Sequence, residues 1–151
     1  MTPNQFKIIY SERVLPGAAY YLAGLVIPTI STLIALPFLD DLLWLVPALT
    51  YGVYLALGIL FAPAIKITSQ DLQVAKASLP LSFVSDAKEI AVSETFLERG
   101  PKLNAKAYFR FQVGVKGLVK VRVNDSNDPT PYWLFSSRNP DLVVRFLNKQ
   151  V

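Results

Sequence analysis

At 151 residues, with 52% hydrophobic and only 17% charged side chains, the chain is too apolar for an ordinary water-soluble domain and too short for two. It carries a formal net charge of +4 and contains neither cysteine nor histidine. Disulfides, thiolate nucleophiles, Cys/His metal sites and the commonest general base are therefore excluded, and a carboxylate site is what remains of the enzyme templates.

The apolar residues are concentrated early. Val14 to Leu39 holds no charge, and at about 1.5 Å per residue it reaches about 39 Å against a hydrocarbon core of about 30 Å. Asp40 and Asp41 interrupt before a second uncharged run, Leu42 to Ile65. One long helix would bury both aspartates at about 2.5 to 3.5 kcal/mol each, so a helical hairpin turning at Pro37 to Asp41 is predicted. A signal peptide fits poorly, because its apolar region runs to about 7 to 15 residues. The expected organisation is a cytoplasmic segment 1–13, a membrane part 14–65 with transmembrane helices at 14–39 and 42–65, and a cytoplasmic β-rich domain 66–151.

Orientation follows from Lys7 and Arg13 before the first run and Lys66 after the second, with only acids between, which puts both termini in the cytoplasm of a multi-pass cell-membrane protein. Ala48, Gly52 and Ala56 recur every four residues and form a smooth helix-packing stripe. It serves either contact with the protein's own first helix, or homodimerisation or docking onto a membrane-protein partner. Neither run contains an ionisable residue, which argues against a proton or ion pathway.

From Lys66 the pattern turns to period two. Ile65 and Ile67, a turn at Ser69 to Asp71, then Leu72 and Val74 read as a hairpin; Leu79, Leu81 and Phe83, then Ile90 and Val92, mark two further strands. Glu94 to Leu103 reads as a loop with one helical turn. Along Ala105 to Asn124, Ala107, Phe109, Phe111, Val113, Val119, Val121 and Val123 share one parity, predicting a long antiparallel hairpin reversed at Gly114 and Gly117, with those residues buried. Tyr132 to Ser136 is a seventh strand. A C-terminal helix follows, with Asn139 as cap, Pro140 in the first turn and an apolar stripe of Leu142, Val143, Phe146 and Leu147. The expected fold class is thus a membrane α-helical hairpin plus a mostly-β domain, a pleckstrin-homology-like barrel of about seven strands closed by a C-terminal helix.

Lys106, Arg110, Lys116, Lys120 and Arg122 form a cationic strip suited to anionic headgroups of the inner leaflet, or simply a solvated sheet face. Tyr132 and Trp133 point to opposite faces, one for the core and one for a partner or membrane contact. No nucleic-acid reading motif accompanies the basic residues, so nucleic acid is not an expected partner. No metal, cofactor or catalytic residue is expected. Asp125 to Asp128 opens like a calcium loop but lacks its glycine and closing glutamate, Glu94 and Glu98 lack a perturbing partner, and Ser136 and Ser137 lack a base at Ser-x-x-Lys spacing.

The run Asp128-Pro129-Thr130-Pro131-Tyr132-Trp133-Leu134-Phe135-Ser136-Ser137-Arg138-Asn139-Pro140 resembles the signature of an uncharacterised family of small actinobacterial membrane proteins, a domain of unknown function. Tyr10-Ser11-Glu12-Arg13-Val14-Leu15-Pro16 resembles that family's other recurring segment. Gln112, Val113 and Gly114 depart from the family's Arg, Pro and Trp cluster. The close of the chain also resembles bacterial pleckstrin-homology-like domains, which implies a binding module rather than an enzyme. The expected function is a membrane-anchored, non-enzymatic scaffold or regulatory protein binding a protein partner or the inner leaflet. The alternatives are a membrane enzyme using carboxylates on a lipid or envelope precursor, and an accessory subunit of a transporter.

Overall fold

The computed structural model describes residues 7–150. The chain divides into two compact units, a helical one spanning Leu15–Ala62 and a β-rich one made of the residues on either side of it.

In the β-rich unit, strand β1 (Ile8–Arg13) lies before the apolar half and pairs antiparallel with β2 (Ala64–Thr68), which follows it. Arg13 stands opposite Ala64, and the Val14 N–H donates to the Pro63 carbonyl at 2.8 Å. The helical unit is therefore an insertion into a β-hairpin. Strands β3 (Asp71–Val74) and β4 (Ala77–Pro80) complete a first sheet in the order β1-β2-β3-β4. A second sheet has the order β5-β7-β8-β6, with β5 at Val84–Ile90, β6 at Tyr108–Arg110, β7 at Leu118–Val123 and β8 at Tyr132–Ser136.

The two sheets share one core. Ile65, Ile67, Leu72 and Val74 of the first meet Val119, Val121, Trp133 and Phe135 of the second, and Val143 and Leu147 of the C-terminal helix join them. The Tyr108 hydroxyl crosses between the sheets to donate to the Val74 carbonyl at 2.9 Å, and burial holds its phenol above the usual range. A smaller apolar cluster, Ile90, Leu118 and Leu134, lies on the far side of the second sheet beneath Leu103 and Phe111.

The C-terminal helix (Pro140–Asn148) has its proline in the first turn, but Asn139 makes no side-chain cap. The entry to this helix is held from elsewhere. The buried Glu12 carboxylate of β1 accepts from the Ser137 hydroxyl at 2.6 Å and the Arg138 backbone N–H at 2.7 Å, while the Ser137 oxygen accepts from the Asn139 N–H at 3.1 Å. A carboxylate here also suits the positive end of the helix dipole. Segments 10–16 and 128–140, far apart in the chain, meet at these bonds.

In the helical unit, α1 (Ala18–Ala23), α2 (Val26–Ala35) and α3 (Leu45–Leu60) follow in order, with turns over 36–44. Tyr20 and Tyr54 stack at 4.3 Å and each hydroxyl donates to the other residue's carbonyl, at 2.8 and 2.9 Å. Gly24 leaves room for the Tyr54 ring and Gly58 for the Tyr20 ring. Most large apolar side chains of this unit, among them Leu22, Ile30, Leu33, Leu49 and Leu60, point outward.

The expected two-span hairpin followed by a seven-strand barrel is corrected by these elements. Among the described helices, only the continuous Ala18–Ala35 stretch is long and apolar enough to cross a membrane. The second helix has 16 residues, about 24 Å, because Leu42–Trp44 are spent in turns and Ala64 and Ile65 in β2. In place of one barrel there are two four-stranded sheets, the first begun by a strand that precedes the apolar half. The long hairpin over Ala105 to Asn124 does not form either. Strand β8 lies between β6 and β7, and β6 runs parallel to it. The link from β6 to β7 passes around β8 through Gly114, in the left-handed region at φ 72°, and Gly117, where a Cβ would strike the Ser137 carbonyl. Ala107 is buried as expected, but the parity inverts within β6: Tyr108 faces the main core, while Phe109, and Val113 beyond it, are exposed.

Candidate binding face on the second sheet

Residues paired across a sheet share a face. The register of the second sheet puts Lys88, Lys120, Leu134 and Phe109 in one row on its outer face, and Asp86, Arg122 and Tyr132 in the next. At the second row this face is open, and Asp86, Lys88, Lys120, Arg122, Val123, Pro131 and Tyr132 line a hollow of about 500 Å³.

The rest of the face is covered by the strap 92–107, with Leu103, and by Phe111 just after β6. The strap's short helix α4 (Thr95–Arg99) is anchored by two charged residues turned towards the sheet. Glu98, buried, pairs with Lys120 at 2.8 Å. Arg99 donates through Nη2 to the Val115 carbonyl at 2.7 Å and the Ser136 hydroxyl at 3.2 Å, with its guanidinium 5.3 Å from the Phe111 ring centre. Burial pulls the Arg99 guanidinium below its ordinary value. The Lys120 ammonium also lies 4.2 Å from the Tyr132 ring centre, so this cation joins strap, sheet and aromatic floor. The Tyr132 hydroxyl accepts from the Asn104 N–H at 2.8 Å and donates to the Lys102 carbonyl at 3.3 Å, which fixes the ring at the edge of the hollow.

Chemically, the hollow offers two lysines and an arginine against one aspartate, above an aromatic ring. Such a set recognises an anionic group by charge and hydrogen bonding. Lys120 is spent on Glu98, so Lys88 and Arg122 are the cations best placed for a ligand. A second hollow of about 670 Å³, lined by Ser69, Gln70, Asp71, Pro80, Leu81, Ser82, Val84 and Gln150, brings a single charged residue, Asp71.

The residues singled out from the sequence are thus dispersed. Lys120, Arg122 and Tyr132 come together in the hollow. Lys106, Arg110 and Lys116 are exposed along the strap, the edge strand β6 and the link that follows. Trp133 is core, its ring 4.4 Å from that of Tyr108. Ala48, Gly52 and Ala56 lie on an exposed face of α3, and a Cβ on Gly52 would meet nothing within 4 Å, so this stripe is not the contact with α1 and α2. Asp125 and Asp128 accept from the Asn127 and Thr130 backbone N–H groups at 2.9 and 2.8 Å, and the Thr130 bonds hold the Asp128 carboxyl below its usual range. No cluster of metal-ligating residues occurs among the described residues.

Sequence reasoning missed Asp86 and Lys88, and it gave Glu98 no partner, whereas Glu98 pairs with Lys120. Period two counted back from Ile90 puts Lys88 and Asp86 on the Ile90 face, so that signal was present; nothing local indicated that Glu98 reaches Lys120, 22 positions on.

Fold and face together define a two-sheet β-domain, interrupted by an apolar helical unit, that carries an open, mainly cationic hollow on its second sheet. Residues 9–147 match the family described as "Protein of unknown function (DUF3093)", and the chain belongs to that family. No curated protein and no solved structure is significantly similar to it.

Proposed function

We propose that the chain is a membrane-anchored, non-enzymatic scaffold or regulatory module, whose β-rich unit sits in the cytoplasm and binds an anionic group of a protein partner or of the inner leaflet through the outer face of its second sheet. The observation that carries this reading is the hollow in which Lys88, Lys120 and Arg122 converge beside Tyr132. Anchoring is supported by the outward apolar side chains of the helical unit. Because Arg13 and Ala64 are neighbours in one sheet, a chain that enters the bilayer between them must return to the same side. That return supports a multi-pass reading, and the cations Lys7, Arg13 and Lys66 at the flanks favour the cytoplasm for both termini. The non-enzymatic part rests on Glu12 and Glu98, buried carboxylates already engaged by donors of the fold.

The test is purification of the tagged protein in a mild detergent, with mass spectrometry of what co-elutes, compared with Lys88→Glu/Arg122→Glu. A stoichiometric partner, or binding to anionic vesicles, that is lost in the double variant supports the reading. Unchanged association in that variant overturns it. The outward position of Ala48, Gly52 and Ala56 favours a second reading, an accessory subunit docked through α3. In that case Gly52→Leu, and not the charge reversal, removes the partner.

A further inference from the structure

Within the β-rich unit, among the described residues, exposed large apolar side chains are concentrated in one stretch. Val92, Phe96, Leu97, Phe109 and Val113 lie between positions 92 and 113, and Ile8 is the only other. Phe96 is 79% exposed and Phe109 51%. Single exposed hydrophobics are ordinary, whereas a concentration of them marks a contact surface.

The stretch has one outward side. Phe109 stands opposite Leu134, which puts it on the outer face of the second sheet, and it stacks on Phe111 at 5.3 Å. Phe111 lies under the Arg99 guanidinium of α4. With Glu98 and Arg99 turned to the sheet, the same short helix leaves Phe96 and Leu97 turned out. Among and just after these stand three exposed cations, Lys102, Lys106 and Lys116, against one exposed acid, Glu94; Arg110, opposite Phe135, belongs to the other face of β6. Apolar side chains of this size among mainly positive charges fit the boundary between headgroups and acyl chains, where amphipathic surfaces settle about 5 to 10 Å deep. Basic side chains within about 8 Å of an anionic leaflet are attracted to it at physiological salt.

We propose that the outward side of residues 92–116 is a bilayer-contact surface: Phe96, Leu97, Phe109 and Val113 enter the headgroup–acyl boundary of an anionic leaflet, and Lys102, Lys106 and Lys116 engage its headgroups. This rests on the membrane-anchored reading above, since a chain already held at a bilayer needs only weak further affinity to keep such a surface docked. It also assigns the strap a role separate from the hollow.

The absence of cysteine makes the test direct. Full-length Phe96→Cys, Phe109→Cys, Ser85→Cys and Ile30→Cys are spin-labelled and reconstituted in vesicles of phosphatidylglycerol and phosphatidylcholine, and collision of each label with lipid-borne oxygen and with a water-soluble nickel complex is measured. The expected result is oxygen-dominated collision at 96, 109 and 30 and nickel-dominated collision at 85. A loss of the oxygen signal at 96 and 109 is expected in pure phosphatidylcholine, and on changing Lys102, Lys106 and Lys116 to glutamate. Nickel-dominated collision at 96 and 109 with oxygen-dominated collision at 30 overturns this inference and leaves the anchoring intact. Nickel-dominated collision at 30 as well overturns the anchoring, and the inference with it. Shielding of 96 and 109 from both relaxers means that protein covers the surface and likewise overturns the inference. Equal insertion in pure phosphatidylcholine overturns the role given to the cations.

Discussion

Glu12 holds together parts of the chain that are far apart in sequence. Its buried carboxylate accepts from the Tyr10 phenol at 2.9 Å as well as from Ser137 and Arg138. Glu12→Ala leaves the Ser137 hydroxyl and the Arg138 N–H without their acceptor, and we expect a loss of about 2 to 4 kcal/mol in urea unfolding. Glu12→Gln keeps one acceptor oxygen and should lose less. The same contact governs Tyr10, whose pKa is pushed up to about 12, first by burial and then by the hydrogen bond to Glu12 and its negative charge. A raised folded-state value stabilises the fold fully below the unfolded tyrosine pKa of about 10, and that stability is lost as pH rises through the folded value. The difference in melting temperature between the native protein and Tyr10→Phe should therefore shrink as pH rises from about 9 to about 12. At this scale the sequence made part of the candidate site legible. Lys120 and Arg122 alternate with buried valines in one strand, and alternation is a local signal. Glu98 was opaque, because a carboxylate on a surface turn is ordinary until the sheet beneath it is known.

Strand β6 separates local pattern from tertiary placement. The period-two reading puts Phe109 in the core, yet in the structure it lies on an edge strand with its ring towards the outside. Phe109→Asp should accordingly leave the β-rich unit folded, with a change within about 0.5 kcal/mol. Leu134→Asp, at the opposite position of the neighbouring strand and fully buried, should unfold it, since it removes an apolar side chain from its cluster and buries a charge in its place. Circular dichroism and denaturant titration of the two variants distinguish these outcomes. Among the helices, Gly24→Leu and Gly58→Leu drive a side chain into the Tyr54 and Tyr20 rings. Overpacking of this kind costs about 1 to 3 kcal/mol, so thermal stability in detergent should fall in both. Gly52→Leu should leave it unchanged, because that face of α3 is open.

For the molecule as a whole, the insertion topology makes a strong prediction. Val14 and Pro63 are hydrogen-bonded neighbours at the ends of β1 and β2. Removing Leu15–Ala62 and joining Val14 to Pro63 through Asn-Gly, which suits a tight hairpin, should give a soluble, folded β-domain. A fragment beginning at Lys66 should not fold, because it lacks β1, the core residue Val14 and the Glu12 contacts. Size-exclusion chromatography and cooperative thermal unfolding read both outcomes. The apolar block, the want of cysteine and histidine, the hairpin of β2 and β3, the strand β8 and the C-terminal helix were determined by the sequence itself, because composition and short-range periodicity express them directly. Which strand lies beside which was decided only in the tertiary structure: β1 pairs across the whole apolar segment, and β6 runs beside β8 instead of folding back on β7. Alternation specifies that a segment has two faces. Which of them is buried depends on neighbours brought together from distant parts of the chain, and that choice turned Phe109 outward and gathered Lys88, Lys120 and Arg122 around one hollow.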